Sequence, residues 1–222
     1  MSELFDSLPD VYDEWFTTPI GKLAKEYELK LVLNMLKPRP GELVLDAGCG
    51  TGVFTSGIIE KGASVIGLDV SRPMLNRATY KIKHRFSCVC ADMLYLPFEN
   101  NTFDKAISIT AIEFIKDARQ ALGELERVTK PGGAIVVATL NSLSPWAKKR
   151  KKYAEKAEGI FADAIFRSPD ELAGLLALKC ITKTAIHFPD DSDPQQVIEI
   201  EEKGTSAGLD SGAFVAGLWI KL

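Results

Sequence analysis

Nowhere in these 222 residues does an uninterrupted apolar run approach the roughly 18 that a membrane-spanning helix needs. The N-terminal stretch MSELFDSLPDVYDEWF also lacks the basic start and apolar centre of a secretory signal. Positive charge is not in excess: Lys and Arg number 27 against 30 Asp and Glu, a net charge of −3. A surface of that balance offers no electrostatic footprint for a polyanion, so no nucleic acid partner is expected. The four cysteines, at 49, 88, 90 and 180, form neither C-x-x-C pairs nor a short disulfide-dense frame, and histidines number only 2. None of these residues reads as a metal site. These absences point to a soluble protein in a reducing, cytoplasmic setting.

What is present is an ordinary globular composition, 46% hydrophobic and 26% charged, long enough for one large domain with a full core. Its organising stretch is VLDAGCGTG, Val44 to Gly52. The apolar pair Val44 and Leu45 runs into Asp46, and Gly48, Gly50 and Gly52 recur at every second position before VFTSGIIEKG, which continues as a helix. That pattern is a strand ending in a glycine turn. Glycines there permit positive φ and a close approach of backbone to ligand, and the helix start adds free N–H groups and the positive end of its dipole.

Upstream, Leu23, Tyr27, Leu31 and Leu33 fall at mostly helical spacing and predict a helix packed on a sheet, ended by Pro38 and Pro40. Before it, Tyr12, Trp15 and Phe16 form an aromatic cluster that reads either as core anchors or as a mobile lid.

Downstream, SVIGLDVS (64–71) predicts a second strand ending in Asp69, 17 residues after Gly52. In nucleotide-binding βαβ units an acid about 20 positions on accepts hydrogen bonds from ribose hydroxyls. The competing role is a helix N-cap, for which Ser71, before Pro73, is better placed. Further strands are expected at 86–90, followed by Asp92 and Met93, and near 105–109, followed by Thr110 and Glu113. The helix DARQALGELERVTK ends at KPGG (130–133), and AIVVATLN forms a fifth strand. Strands alternating with helices argue a parallel sheet covered on both faces, with right-handed crossovers. Ligands of such sheets sit outside the carboxyl ends of the strands, where Asp46, Asp69, Asp92, Thr110 and Asn141 would converge. In the last third, residues 144–179 read as helical, with a capping box opening at Ser168; CITKTAIHFP and FVAGLWIKL then read as strands. The basic run Lys148 to Lys152 reads as a solvated face.

A dinucleotide fingerprint would place its third glycine where Val53 stands, which weakens a nicotinamide-dependent oxidoreductase. Asp46, ahead of the first glycine, is an awkward neighbour for a pyrophosphate and a good one for an ammonium group.

The chain resembles the class I S-adenosylmethionine-dependent methyltransferases, the broad group that includes ubiquinone and menaquinone biosynthesis enzymes. The resemblance rests on VLDAGCGTG (44–52), GLDVS (67–71), ADMLYLPF (91–98), FDKAISITAIEFI (103–115) and VTKPGGAIVVATLN (128–141), in order and register. It implies a Rossmann-like α/β fold with a seven-stranded, mostly parallel sheet in the order 3-2-1-4-5-7-6 and strand seven antiparallel. The chain would be one domain: an N-terminal helical lid (1–40), a cofactor core (41–141) and substrate-side helices with the last two strands (142–222). S-adenosylmethionine would be the cofactor. Gly48, Cys49 and Gly50 would lie along its methionine part with Asp46 near the amino group. Asp69, beside Val70, would hold the ribose hydroxyls, Asp92 would take the adenine amino group and Met93 would flank the ring. Thr110 would touch the methionine through its backbone, and Tyr12 and Trp15 would close over the cofactor.

Methyl transfer from a sulfonium asks mainly for alignment of the reacting atoms. A base is needed only where the nucleophile must lose a proton, and Glu113 and His187 are the candidates. Neither N-P-P-Y nor Pro-Cys follows strand four, where ITAIEF stands, which favours a small-molecule acceptor over a nucleobase. The alternative is a non-catalytic S-adenosylmethionine-binding regulatory protein. Either would act as a monomer or homodimer, without a membrane span.

Overall fold

A computed structural model describes residues 5–154, 161 and 163–222. Strand β1 (Leu43–Ala47) lies at the middle of a seven-stranded sheet. Its residue Val44 pairs with Val65 of β2 (Ser64–Asp69) on one side and Lys105 of β4 (Phe103–Ile109) on the other. Strands β3 (Phe86–Cys90), β5 (Thr129–Leu140), β6 (Cys180–Ala185) and β7 (Phe214–Ile220) complete the order 3-2-1-4-5-7-6. β1 to β5 run parallel, and β7 is antiparallel to both β5 and β6. The expected architecture is present.

The two-residue period of the strands sends alternate side chains to opposite faces. Val44, Ile107, Val136 and Phe214 pack on one face with Ala24, Val32 and Leu36 of α2 (Pro19–Leu36) and Ile58 of α3 (Thr55–Ile59). Leu45, Ala106, Ile135 and Trp219 pack on the other with Leu122 and Leu125 of α5 (Ala118–Val128) and Leu172 of α7 (Pro169–Ala173). Each fully buried large apolar side chain contributes about 1.5–3 kcal/mol, so this double-sided burial fixes the sheet.

Capping chemistry sets several boundaries as expected. The Ser71 hydroxyl accepts from Met74 N at the start of α4 (Arg72–Lys81), and Ser168 and Glu171 form a reciprocal capping box on α7. Tyr12 and Trp15 of the aromatic cluster lie on a helix, α1 (Pro9–Trp15), packed on α4. Three elements depart from expectation. The buried row of α2 is Gly21, Ala24, Glu28, Val32 and Met35; Leu23, Tyr27, Leu31 and Leu33 flank it half-buried. The row mixes glycine, alanine and an acid with Val32 and Met35, so apolar spacing marks its flanks rather than its centre. The KPGG segment interrupts β5 without ending it: Phe103 pairs with Thr129, then the register shifts and Lys105 pairs with Ala134, with Gly132 at φ +78°. Finally α8 (Val197–Ser206) has no sequence signal at its start, since Gln196 makes no side-chain cap. Of the helical reading over 144–179, α6 (Pro145–Ala154) and α7 are found, and residues 155–160 and 162 lie outside the described residues.

Candidate active site

The glycine turn leaves β1 and is bonded to the end of β2. Gly48 N and Cys49 N both donate to the Leu68 carbonyl, at 2.7 and 3.0 Å, and Gly50 N donates to Asp69 Oδ2 at 2.9 Å. Gly48 has φ +78°, and a Cβ there would stand 2.4 Å from the Ala111 Cβ; Gly50 has φ +52° and open space where its Cβ would be. Both positions therefore require glycine, one for backbone conformation and packing, the other to leave the crevice clear.

Asp69 Oδ1 accepts Ser71 N at 2.9 Å, so each carboxylate oxygen keeps a lone pair for a ligand. Burial pushes the Asp69 carboxyl up, against the pull of the backbone N–H groups of Ser71 and Gly50. Val70, Asp92, Met93 and Thr110 line the same crevice beside Gly48, Gly50 and Asp69. Thr110 takes the left-handed conformation, φ +48°, directly after β4. Asp46 and Cys49 lie behind this wall. Asp46 accepts the Thr55 hydroxyl at 2.6 Å, and burial raises its carboxyl to about 7. The Cys49 sulfur fills the space above Gly67.

A second chamber of about 320 Å³ adjoins the crevice, and the two share Phe5, Tyr12, Thr110 and Phe114 in their walls. Trp15 lines this chamber and not the crevice. Glu113 sits in it on a short 3-10 turn (Ile112–Phe114), 1% exposed. Its Oε2 accepts the Thr139 hydroxyl at 3.0 Å, and its Oε1 has no hydrogen-bond partner among the described residues. Burial raises the Glu113 carboxyl to about 7, with Arg167 and Arg150 opposing the rise.

Two chamber residues escaped the sequence reading. Glu28, in the buried row of α2, is 5% exposed, and burial raises it to about 8. Arg150 belongs to the basic run read as solvated, yet its guanidinium lies 5.2 Å from the ring centres of both Trp146 and Phe161. Lys148, Lys149 and Lys151 do stay exposed. Trp146, one helical turn before Arg150, was the available signal; a lone Glu within an apolar helix carries none.

Two expected residues lie elsewhere. Asn141 is fully buried, donating to the carbonyls of Asp210 and Gly212 and holding the approach to β7. His187 lies past β6, after Ile186 at φ +65°, and not within the strand. Its ring is 3.3 Å from Glu201 of α8, and Glu201 also accepts the N–H groups of Ile186 and His187 at 3.0 and 2.6 Å. The pair is a corner brace. Glu201 raises the His187 imidazole; the hydrogen bonds from His187 lower Glu201 against the upward push of burial.

The histidine's stabilising share is complete below its unfolded value and is lost as pH rises through its raised folded value. The glutamate's share is present above its unfolded value and is lost as pH falls through its lowered one. Glu201→Ala, which strands two buried N–H groups, is expected to cost about 2–4 kcal/mol at pH 5.5 and less at pH 9. Urea unfolding at both pH values checks this; an equal cost at both removes the ion pair from the account.

The methyltransferase-domain family matches residues 45–137, from β1 and the glycine turn through β4 and into β5. A demethylmenaquinone methyltransferase of Corynebacterium urealyticum is 35% identical over 173 residues, 77% of this chain and 73% of that protein. The chain belongs to the S-adenosylmethionine-dependent methyltransferases. Another relative of this methyltransferase, the malonyl-[acyl-carrier protein] O-methyltransferase of Salmonella typhimurium, is 36% identical over 130 residues, 54% of this chain and 51% of that protein. The chain thus spans from half to about three-quarters of the length of these relatives. Among solved structures, a SAM-dependent methyltransferase and possible histamine N-methyltransferase of Thermotoga maritima superimposes with TM-score 0.80 at 25% identity, over 100% of this chain and 99% of that one.

Proposed function

We propose that this methyltransferase acts on a small-molecule acceptor seated in the aromatic chamber, and that Glu113 removes a proton from the attacking group. The observation that carries this reading is the shared wall: crevice and chamber meet at Tyr12, Thr110 and Phe114, so a reagent in one faces a nucleophile in the other. When bound, S-adenosylmethionine supplies a methyl group already activated on a sulfonium. The chain's part is to hold, align and keep dry.

The crevice residues suit the adenosyl and methionine parts. Asp69 offers two acceptor lone pairs to ribose hydroxyls and Asp92 a carboxylate to the adenine amino group, with Val70 and Met93 flanking the base. Gly48, Gly50 and Thr110 border the methionine part, with Asp46 behind them. Tyr12, its phenol pushed up by enclosure and so kept neutral, closes the junction with Trp15 on the chamber side. Residues 5–16 serve as the lid. The crevice cavity is about 80 Å³, well under the roughly 300 Å³ of a ligand pocket, so α1 has to swing out for loading. Its fastening is ionic: Asp13 accepts from Thr51 at 2.7 Å, Arg77 at 3.0 Å and Lys81 at 2.9 Å.

Glu113 fits a base: it is buried, one oxygen is uncommitted, and at about 7 it exchanges protons near neutrality. The chamber's size and its aromatic walls favour a compact, flat acceptor. The relatives named above, acting on a demethylmenaquinone and a malonyl carrier, support a non-nucleic-acid acceptor. Incubation with methyl-labelled S-adenosylmethionine and a metabolite extract is expected to place label in the small-molecule fraction. Label confined to protein or nucleic acid would overturn the reading.

A further inference from the structure

The chamber holds a cation that alignment of a methyl group does not require. The Arg150 guanidinium lies over the rings of Trp146 and Phe161, 5.2 Å from each centre, and lines the chamber together with Glu28 and Glu113. Over these aromatic faces its charge is stripped of much of its water, which lowers its affinity for its own proton. Its nearby anions are Glu28, Glu113 and Asp190. Asp190 is occupied by Lys149 at 2.9 Å. Glu28 and Glu113, raised by burial to about 8 and 7, are protonated for much of the time near neutral pH. Arg167, which opposes the rise of Glu113, donates to the carbonyls of Ile112 and Ile165 outside the chamber lining. Among the described residues lining the chamber Arg150 is the one cation, and the two carboxyls there are both disposed by burial toward the neutral form. A cationic acceptor gains little there; a compact anion gains most.

We propose that the acceptor is a flat apolar molecule carrying a carboxylate-like anionic group, which Arg150 anchors beside Glu28. This rests on the chamber being the acceptor site. Arg150 and Glu28 are then specificity-determining residues, distinct from Glu113, which faces the proton-bearing nucleophile. Glu28 faces Arg150, Glu113 and Tyr12. Glu28 and Arg150 are near enough to sense each other's charge, so a ligand anion set against Arg150 disfavours the Glu28 carboxylate, and the ionised fraction takes a proton from solvent. No bond to the ligand is made or broken.

The test uses the full chain saturated with S-adenosylhomocysteine and three probes of one shape: 2-naphthoate, 2-naphthol and 2-naphthylamine. Calorimetry is expected to give 2-naphthoate at least about tenfold tighter than either neutral isostere. At pH 8, titration in buffers of different ionisation enthalpy is expected to report proton uptake for 2-naphthoate and none for 2-naphthol. Arg150→Gln should abolish the preference and Arg150→Lys restore part of it. Glu28→Gln should keep the preference and lose the uptake, with circular dichroism confirming each fold. Equal binding of naphthoate and naphthol, or a preference that survives Arg150→Gln, overturns the anionic anchor alone. Binding of S-adenosylhomocysteine with no entry of any probe overturns the acceptor chamber itself, and the anchor with it.

Discussion

Asp69→Ala is expected to abolish measurable cofactor binding. Two hydrogen bonds from ribose hydroxyls to a carboxylate are worth about 1.5–3 kcal/mol each, so their joint loss corresponds to roughly 10²–10⁴-fold in affinity. The same carboxylate also accepts Gly50 N and Ser71 N, so its removal frees the glycine turn and the start of α4 together. Asp69→Asn keeps an acceptor oxygen and should fall between the two. Calorimetric titration with S-adenosylhomocysteine measures both. Retention of wild-type affinity within about threefold in Asp69→Ala would mean that the ribose is not held at the end of β2.

Glu113→Gln is expected to lower kcat by about 10²–10⁴-fold while leaving S-adenosylhomocysteine affinity near wild type, since the side chain faces the chamber and not the crevice. The wild-type rate should rise with pH through about 7 as the carboxyl becomes a carboxylate able to accept a proton, and Gln should remove that rise. Stability moves the opposite way. A carboxyl raised by burial contributes stability that is present below its unfolded value of 4.5 and lost as pH climbs from there through about 7, so Glu113→Gln should gain on wild type across that range and hold the gain above it. Steady-state rates against pH, with thermal unfolding at pH 5 and 8, separate the two effects. A full rate in Glu113→Gln would leave the acceptor's proton to water or to another group.

Much of this was legible one residue at a time because it depends on local chemistry. The turn VLDAGCGTG announces itself, since Gly48 and Gly50 occupy positive φ that few other residues tolerate. The division of roles between Asp69 and Ser71 was legible too: Ser71, before Pro73, caps α4 as expected, while the Asp69 carboxylate bonds the turn. The chamber was not legible in the same way. Glu28 is one acid among apolar neighbours on α2 and Arg150 is one cation in a run of five; Glu113 stood out as a candidate base, but not its enclosure beside them. His187 shows the converse, a residue whose type suggested chemistry and whose place beside Glu201 makes it a brace.

The sequence by itself determined the alternation of strand and helix, the glycine turn, the caps and the acids at the strand ends, because hydrophobic period and backbone conformation are properties of short segments. Only the tertiary structure decided which carboxyls lose their water and which basic side chain turns inward. Burial and charge proximity join α1, α2, the loop after β4 and α6, segments far apart in the chain, and it is that joining which moves Glu28 and Glu113 toward neutrality and sets Arg150 over two rings.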